Sequence, residues 1–109
     1  MSDDLYPQAT PEMSRERRDL APETHAAFSA FSKAVFADGS LDAKTKQLIA
    51  VAVAHTTQCP YCIRGHSKGA LKAGASKEQL MEAIWVAAEM RAGGAFAHSA
   101  LALDAVHDM

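Results

Sequence analysis

The segment Cys59-Pro60-Tyr61-Cys62-Ile63-Arg64-Gly65-His66 contains both cysteines of the chain, with a proline between them. Proline cannot donate a hydrogen bond inside a helix, but it suits the first helical position. The chain is therefore expected to break near Thr57 and to begin a new helix, with Cys59 as N-cap and Pro60 as first residue. This break determines how the two cysteines are presented.

The same segment predicts a thiol redox site. Residues three and four apart on a helix share a face, so Cys62 is a neighbour of both Cys59 and His66. The unpaired amides and the dipole at a helix start favour a thiolate, the form that attacks peroxides and disulfides. Two orders of attack are open: the nearby base His66 favours Cys62, whereas the helix terminus favours Cys59.

The cysteines have two other interpretations. His55, Cys59, Cys62 and His66 form a His-x3-Cys-x2-Cys-x3-His pattern that resembles four zinc ligands. Along a continuous helix the two histidines would lie roughly 16 Å apart, too far for one tetrahedral ion. No metal is therefore expected. A cysteine pair that only packs in a core is the other alternative.

Proline, glycine and capping residues divide the chain into helical segments. A helix is predicted from Pro22 to the turn at Asp38-Gly39, and another from the N-cap Asp42 to Thr57. The cysteine helix is expected to end near Gly74. The run 76–79 has capping-box spacing and begins a helix that is predicted to stop at 93–94, before a last helix over 96–107.

This pattern predicts an all-α fold of about five to six helices in a single domain. Residues 21–109 form the helical domain, and residues 1–20 form an amino-terminal arm that contains two prolines. No segment shows the bounded alternation of a strand, although 49–54 is apolar enough to leave some ambiguity.

The composition restricts the classes of partner. With 109 residues, 49% hydrophobic and 22% charged, the chain can fold as one domain. A net charge of −2 gives no basic surface for nucleic acid or anionic membranes. The sequence has neither a signal peptide nor a membrane span, so a cytoplasmic location is expected. In a reducing compartment a close cysteine pair is more often catalytic or metal-binding than structural.

The apolar content is rich in alanine, and only 6% of the residues are aromatic. Trp85 and the phenylalanines are expected in the core. A small domain with so few large side chains has a shallow core and gains by burying further surface, so a homo-oligomer is expected.

The runs 41–49, 59–66 and 70–76 together resemble the carboxymuconolactone decarboxylase family, and more narrowly its AhpD-like alkylhydroperoxidase branch. The resemblance covers about residues 20 to 105. It implies an all-α, AhpD-like bundle that assembles into trimers or hexamers and reduces peroxides. It implies that Cys59 and Cys62 are the redox pair, without other cofactor, and that His66 is the relay histidine.

One position departs from that branch, which usually has a glutamate in the preceding helix where this chain has Gln47. An amide can hydrogen-bond but cannot take up a proton at neutral pH. Either the proton relay is rerouted, with His55 as the candidate, or peroxidase turnover is weak. Tyr61, between the cysteines, is a further possible supporting residue.

The expected function is reduction of a small peroxide, followed by resetting of the disulfide by a dithiol donor of thioredoxin-like or lipoyl type. A non-catalytic redox sensor or partner-binding module is the alternative that Gln47 favours. A carboxymuconolactone decarboxylase-type lyase is less favoured, because the members of the family with that activity as a rule lack the cysteine pair.

Overall fold

The structure, a computed structural model, describes residues 5–109 as five α-helices without a strand. The helices are α1 (Pro11–Leu20), α2 (Pro22–Phe36), α3 (Ala43–Thr57), α4 (Pro60–Lys72) and α5 (Lys77–Ala105). The predicted all-α single domain is confirmed. Part of the predicted amino-terminal arm is helical as α1, and its residues 1–4 lie outside the described part of the chain.

Local capping chemistry places the helix starts where the sequence predicts them. Asp42 accepts a hydrogen bond from the backbone N–H of Thr45 at 2.7 Å and caps α3. Ser76 and Gln79 form a reciprocal capping box at the start of α5, with both bonds at 3.0 Å. Gly74, with φ of 101°, follows the end of α4, a left-handed conformation that glycine adopts without steric cost.

The core lies where α3 packs against α4 and α5. Val51 on α3 and Ala70 on α4 are completely buried, and Ala75 is buried beside them. Leu48, Leu80 and Ile84 pack against this cluster. Because the central residues are small, the helices approach closely, but the apolar area removed from water is modest.

The prediction that Trp85 and the phenylalanines form the core is wrong for the single chain. The side chains of Phe28, Phe31, Trp85 and Phe96 are 68%, 64%, 67% and 81% exposed. The chain is elongated, 59 × 32 × 31 Å, and neither α1 nor α2 contains a buried residue. These aromatic side chains lie on helix faces that no other part of residues 5–109 covers.

The predicted break at Gly93-Gly94 is also wrong, because α5 continues through both glycines as one 29-residue helix. Each glycine costs about 1 kcal/mol relative to alanine in a helix, and the flanking alanine, methionine and arginine residues are good helix formers. Neither glycine adopts a positive φ that would end the helix. Within residues 5–109, none of the helices combines the length and apolar content needed to cross a bilayer.

The loop between α2 and α3 is closed by three side-chain hydrogen bonds. The Asp38 carboxylate accepts a bond from the backbone N–H of Ala43 at 2.7 Å. The Lys46 ammonium donates to the carbonyls of Val35 at 2.8 Å and Ala37 at 2.6 Å. The last carbonyls of a helix have no partners within it, so Lys46 supplies donors for two of them and fixes the end of α2 to α3.

Candidate active site

A left-handed turn between α3 and α4 positions the cysteines. Gln58, with φ of 58° and ψ of 49°, follows the last residue of α3. The backbone N–H groups of Gln58 and Cys59 both donate to the carbonyl of Ala54, which ends the helix. Cys59 is then the N-cap of α4 and Pro60 is its first residue, so both predictions are confirmed.

The two cysteine sulfurs lie together at the start of α4. The distance from Cys59 Sγ to Cys62 Sγ is 2.8 Å, and the backbone N–H of Cys62 donates to Cys59 Sγ at 3.3 Å. Both cysteines are free thiols; Cys59 is half-buried and Cys62 is exposed. The pair is therefore close enough to exchange a proton or to close a disulfide after a small movement.

The two thiols differ in acidity. The hydrogen bond from the Cys62 thiol lowers the pKa of Cys59, and the backbone N–H groups of Cys62 and Tyr61 add to this effect. The pKa of Cys62 is raised, mainly because its proton is held in the bond to Cys59, and further by partial burial and the charge of Cys59. The first proton lost from the pair therefore leaves a negative charge that the two sulfurs stabilise together.

Gln47 on α3 holds His66 on α4. Nδ1 of His66 donates to Oε1 of Gln47 at 2.8 Å, which leaves Nε2 as the acceptor of a neutral imidazole. Gly69 makes room for this contact, because a Cβ built there would lie 2.8 Å from the same Gln47 oxygen. The residue that replaces the expected glutamate thus contacts the predicted relay histidine directly.

Phe36, the last residue of α2, covers one face of His66. The two ring centroids are 5.0 Å apart and the ring planes differ by 24°. Sequence reasoning missed this residue, because the repeat of Phe28, Phe31 and Val35 gives no signal that α2 also reaches the histidine.

A cavity of about 390 Å³ opens beside Cys62 and His66. Its walls are mostly apolar and come from α2, α3 and α4. The lining residues are Val35, Phe36, Lys46, Ile49, Ala50, Val53, Ala54, Thr57, Cys62 and His66. His66 and Cys62 share this cavity, but among residues 5–109 no hydrogen bond joins the imidazole to either sulfur.

The structure places the side chains of His55 and Tyr61 outside the hydrogen bonds of the site, although the backbone N–H of Tyr61 acts on Cys59. Nδ1 of His55 donates to the carbonyl of Val51 one turn earlier in α3, at 2.8 Å. Tyr61 packs edge-on against Tyr6, with ring centroids 6.1 Å apart, and Arg64 donates to the Tyr6 carbonyl at 3.0 Å. The amino-terminal segment therefore contacts α4 beside Tyr61.

The zinc pattern is not assembled in the described part of the chain. Among residues 5–109, no three side chains of histidine, cysteine, aspartate or glutamate come close enough to hold one metal ion. The turn at Gln58 brings the two sulfurs together but leaves His55 and His66 in separate hydrogen bonds.

Similar proteins were found over nearly the whole chain. Uncharacterized protein 4 in the cox locus of Paracoccus denitrificans is 60% identical over 103 residues, which cover 94% of this chain and 92% of that protein. An uncharacterized protein of Cupriavidus necator is 39% identical over 106 residues, covering 94% and 93% of the two chains.

Two solved structures resemble this fold. A carboxymuconolactone decarboxylase family protein from Legionella pneumophila has a TM-score of 0.71 and 38% identity, with 89% of this chain and 87% of that chain covered. A protein from Methanobacterium thermoautotrophicum has a TM-score of 0.70 and 38% identity, with 75% and 94% covered. Residues 22–105 match the carboxymuconolactone decarboxylase family, and this chain belongs to that family.

Proposed function

We propose that this protein reduces organic hydroperoxides with the Cys59–Cys62 pair. The observation that carries the proposal is the 2.8 Å separation of the two sulfurs at the edge of an apolar cavity that His66 also lines. An apolar cavity suits the carbon chain of an organic hydroperoxide better than it suits hydrogen peroxide, which has only polar atoms to bind. No cofactor beyond the cysteine pair is required.

In the proposed reaction Cys62 is the attacking thiol, because it lines the cavity. Its proton passes to Nε2 of His66, the base that lines the same cavity. The Cys62 thiolate then attacks the terminal peroxide oxygen, the O–O bond breaks, and the departing alkoxide takes a proton to become an alcohol. Cys59 condenses with the resulting sulfenic acid, which forms the disulfide and releases water.

The disulfide must be reset by an external dithiol, which supplies two electrons and two protons. A thioredoxin-like or lipoyl-type donor in the cytoplasm fits this step, because a pair that cycles needs a reducing compartment. Neither nucleic acid nor membrane has a part in the proposed reaction.

The proposal includes a homo-oligomer, a trimer or a hexamer. The exposed aromatic side chains of α2 and α5 support it, because monomers rarely leave so many large apolar groups in water. A second copy of the chain would cover these side chains without the need for another partner protein.

Peroxide consumption with dithiothreitol as reductant tests this function, with cumene hydroperoxide and hydrogen peroxide compared. The wild type is expected to turn over and to prefer cumene hydroperoxide, whereas Cys59→Ser and Cys62→Ser are each expected to stop turnover. Trapping with dimedone assigns the order: Cys59→Ser should form a sulfenic acid on Cys62 quickly, and Cys62→Ser should oxidise slowly. Equal turnover of the wild type and both variants would refute the proposal.

A non-catalytic redox sensor is the second candidate, and the amide at Gln47 favours it. Without an ionisable group beside His66, the pair could oxidise once and be reduced only slowly. Rapid loss of both thiols with peroxide, but no steady turnover with any dithiol, would select the sensor.

A further inference from the structure

We propose that Phe36 and Lys46 are positioning residues that fix the plane of the His66 imidazole. This inference rests on the proposed function of the cysteine pair, in which Nε2 of His66 must face the cavity. Both residues line that cavity, and neither has an ionisable group that could replace the histidine at neutral pH.

A single hydrogen bond does not fix an imidazole ring. The bond from Nδ1 to Gln47 determines which nitrogen carries the proton, but the ring can still turn about that bond and move Nε2. Phe36 covers the ring face at a centroid distance of 5.0 Å, so a ring that turned would lose this stacked contact. The stack therefore restricts the freedom that the hydrogen bond leaves.

Lys46 in turn holds Phe36 in place. Its ammonium donates to the carbonyls of Val35 and Ala37, the residues on either side of Phe36. The rest of α2 has no buried residue that could fix its end by packing. Together with the bond from Ala43 to Asp38, these two short bonds at 2.8 and 2.6 Å hold the end of α2 that carries the Phe36 ring.

Consecutive residues of α3 therefore restrain the same histidine in different ways. Lys46 acts on α2 and sets the ring face through Phe36, while Gln47 acts on α4 and sets the protonated nitrogen. Successive side chains on a helix point about 100° apart, so one turn of α3 can reach both neighbours.

Nitrogen-15 NMR of the imidazoles in the full-length reduced protein tests directly whether Phe36 and Lys46 fix the plane of the His66 ring. Spectra are taken at about pH 8.5, roughly two units above the ordinary histidine pKa, and the His66 signals are assigned with His66→Ala. In the wild type, His66 should be mainly the Nδ1–H tautomer, with ring protons shifted upfield by Phe36. Phe36→Leu should lose the upfield shift and keep the Nδ1–H tautomer that Gln47 sets, whereas Phe36→Tyr, which keeps the aromatic face, should keep both.

Lys46→Met keeps most of the apolar stem and removes the two bonds, so it should change the His66 signals in the same direction as Phe36→Leu. Lys44→Met, the same change on the same helix, should leave them as in the wild type. Circular dichroism and thermal melting confirm that each variant is folded. Unchanged His66 ring-proton shifts in folded Lys46→Met, which keeps the Phe36 ring, would overturn the proposal that Lys46 and Phe36 fix the imidazole plane.

The rate of the first disulfide formation with cumene hydroperoxide provides the functional measurement. Phe36→Leu and Lys46→Met should lower it about tenfold, a part of the roughly 10²-fold that a positioned base contributes, while Phe36→Tyr should not. A wild type that fails to react would end the proposed function, yet the NMR comparison would still decide whether Phe36 and Lys46 hold the ring.

Discussion

The body of the molecule, formed by α3, α4 and the first half of α5, differs sharply from the two amino-terminal helices. Among residues 5–109, all five buried apolar residues belong to the body or its connecting turn, whereas α1 and α2 have none and leave Phe28 and Phe31 exposed. The body holds both cysteines and His66, and α2 contributes Phe36 against the imidazole and Val35 to the cavity wall. The comparison indicates that the cysteine site is built from contacts inside one chain, whereas the exposed faces of α1 and α2 are the surfaces that the proposed assembly would use.

The largest expected effect is dissociation of the proposed oligomer by substitutions on α2 that leave the cysteine site intact. Burying two phenylalanines contributes about 3–6 kcal/mol, so the double variant Phe28→Ser, Phe31→Ser should dissociate the oligomer at micromolar concentration. Light scattering measures the mass, with Leu5→Ser as a control at another exposed apolar residue. An unchanged mass, or a wild type that is already monomeric, would contradict the assignment of α2 to assembly.

The converse change removes the base from the body. His66→Ala should lower peroxidase turnover by something like 10²-fold, because the variant loses the base that is proposed to take the Cys62 proton. Its mass in solution should equal that of the wild type, since His66 lies in the cavity and not on the exposed face of α2. A variant that keeps full turnover would leave the helix terminus as the only activator of the thiolate.

Gln47 and His55 are two candidates for the proton route, and the structure separates them. Gln47→Glu should raise turnover, because a carboxylate in the same place can accept and return the His66 proton. His55→Ala should change turnover little, since its Nδ1 is bonded within α3. The opposite pattern, with His55→Ala lowering turnover, would transfer the relay to His55.

The two glycines of α4 sharpen the comparison inside the body. The Cβ of Gly69→Ala would lie 2.8 Å from the Gln47 oxygen and force it away from His66. This variant should therefore weaken the hydrogen bond to His66 and lower turnover by less than His66→Ala does. A Cβ at Gly65 meets nothing within 4 Å, so Gly65→Ala should leave turnover unchanged and stabilise the helix by about 1 kcal/mol. Equal turnover of the two variants would show that the position of Gln47 does not matter.

The smallest expected effect concerns the pH dependence of the alkylation of Cys59. Its folded-state pKa is lowered chiefly by the Cys62 thiol, so alkylation of Cys59 should reach its plateau at lower pH than for an ordinary thiol. Cys62→Ala removes the donor and should move the midpoint up, whereas Cys62→Ser keeps a hydroxyl donor and should move it less.

The same lowered pKa fixes the sign of its effect on stability. The contacts that favour the Cys59 thiolate stabilise the fold fully above the ordinary thiol pKa of about 8.5, and this contribution is lost as the pH falls through the folded-state pKa. Identical alkylation midpoints in Cys62→Ala, Cys62→Ser and the wild type would show that the two thiols do not interact.

The sequence predicts the features that depend on neighbours along the chain. Asp42, Pro60 and Ser76 begin their helices as expected, because capping is decided within four residues. Gly93-Gly94 was overestimated as a break, because a glycine only adds a cost that good helix formers on both sides outweigh.

The candidate site was predicted only in part, because its contacts join distant residues. The cysteine pair lies within one turn, so its proximity follows from spacing alone. His66 and Gln47 are 19 residues apart, and Phe36 reaches His66 from another helix. The resemblance singled out Gln47, but no local pattern could indicate which side chain covers the imidazole face.

The left-handed turn at Gln58 has a consequence for which substitutions the chain tolerates. A side chain in this conformation costs about 1–2 kcal/mol, which glycine would avoid. Glycine would, however, raise the conformational entropy of the unfolded chain, which lowers stability by about 0.4–1 kcal/mol. The first effect is the larger, so Gln58→Gly should raise the free energy of unfolding by up to about 1 kcal/mol, whereas a β-branched residue at position 58 should lower it. The backbone of the turn, and not the identity of its side chain, sets the direction in which Cys59 leaves α3.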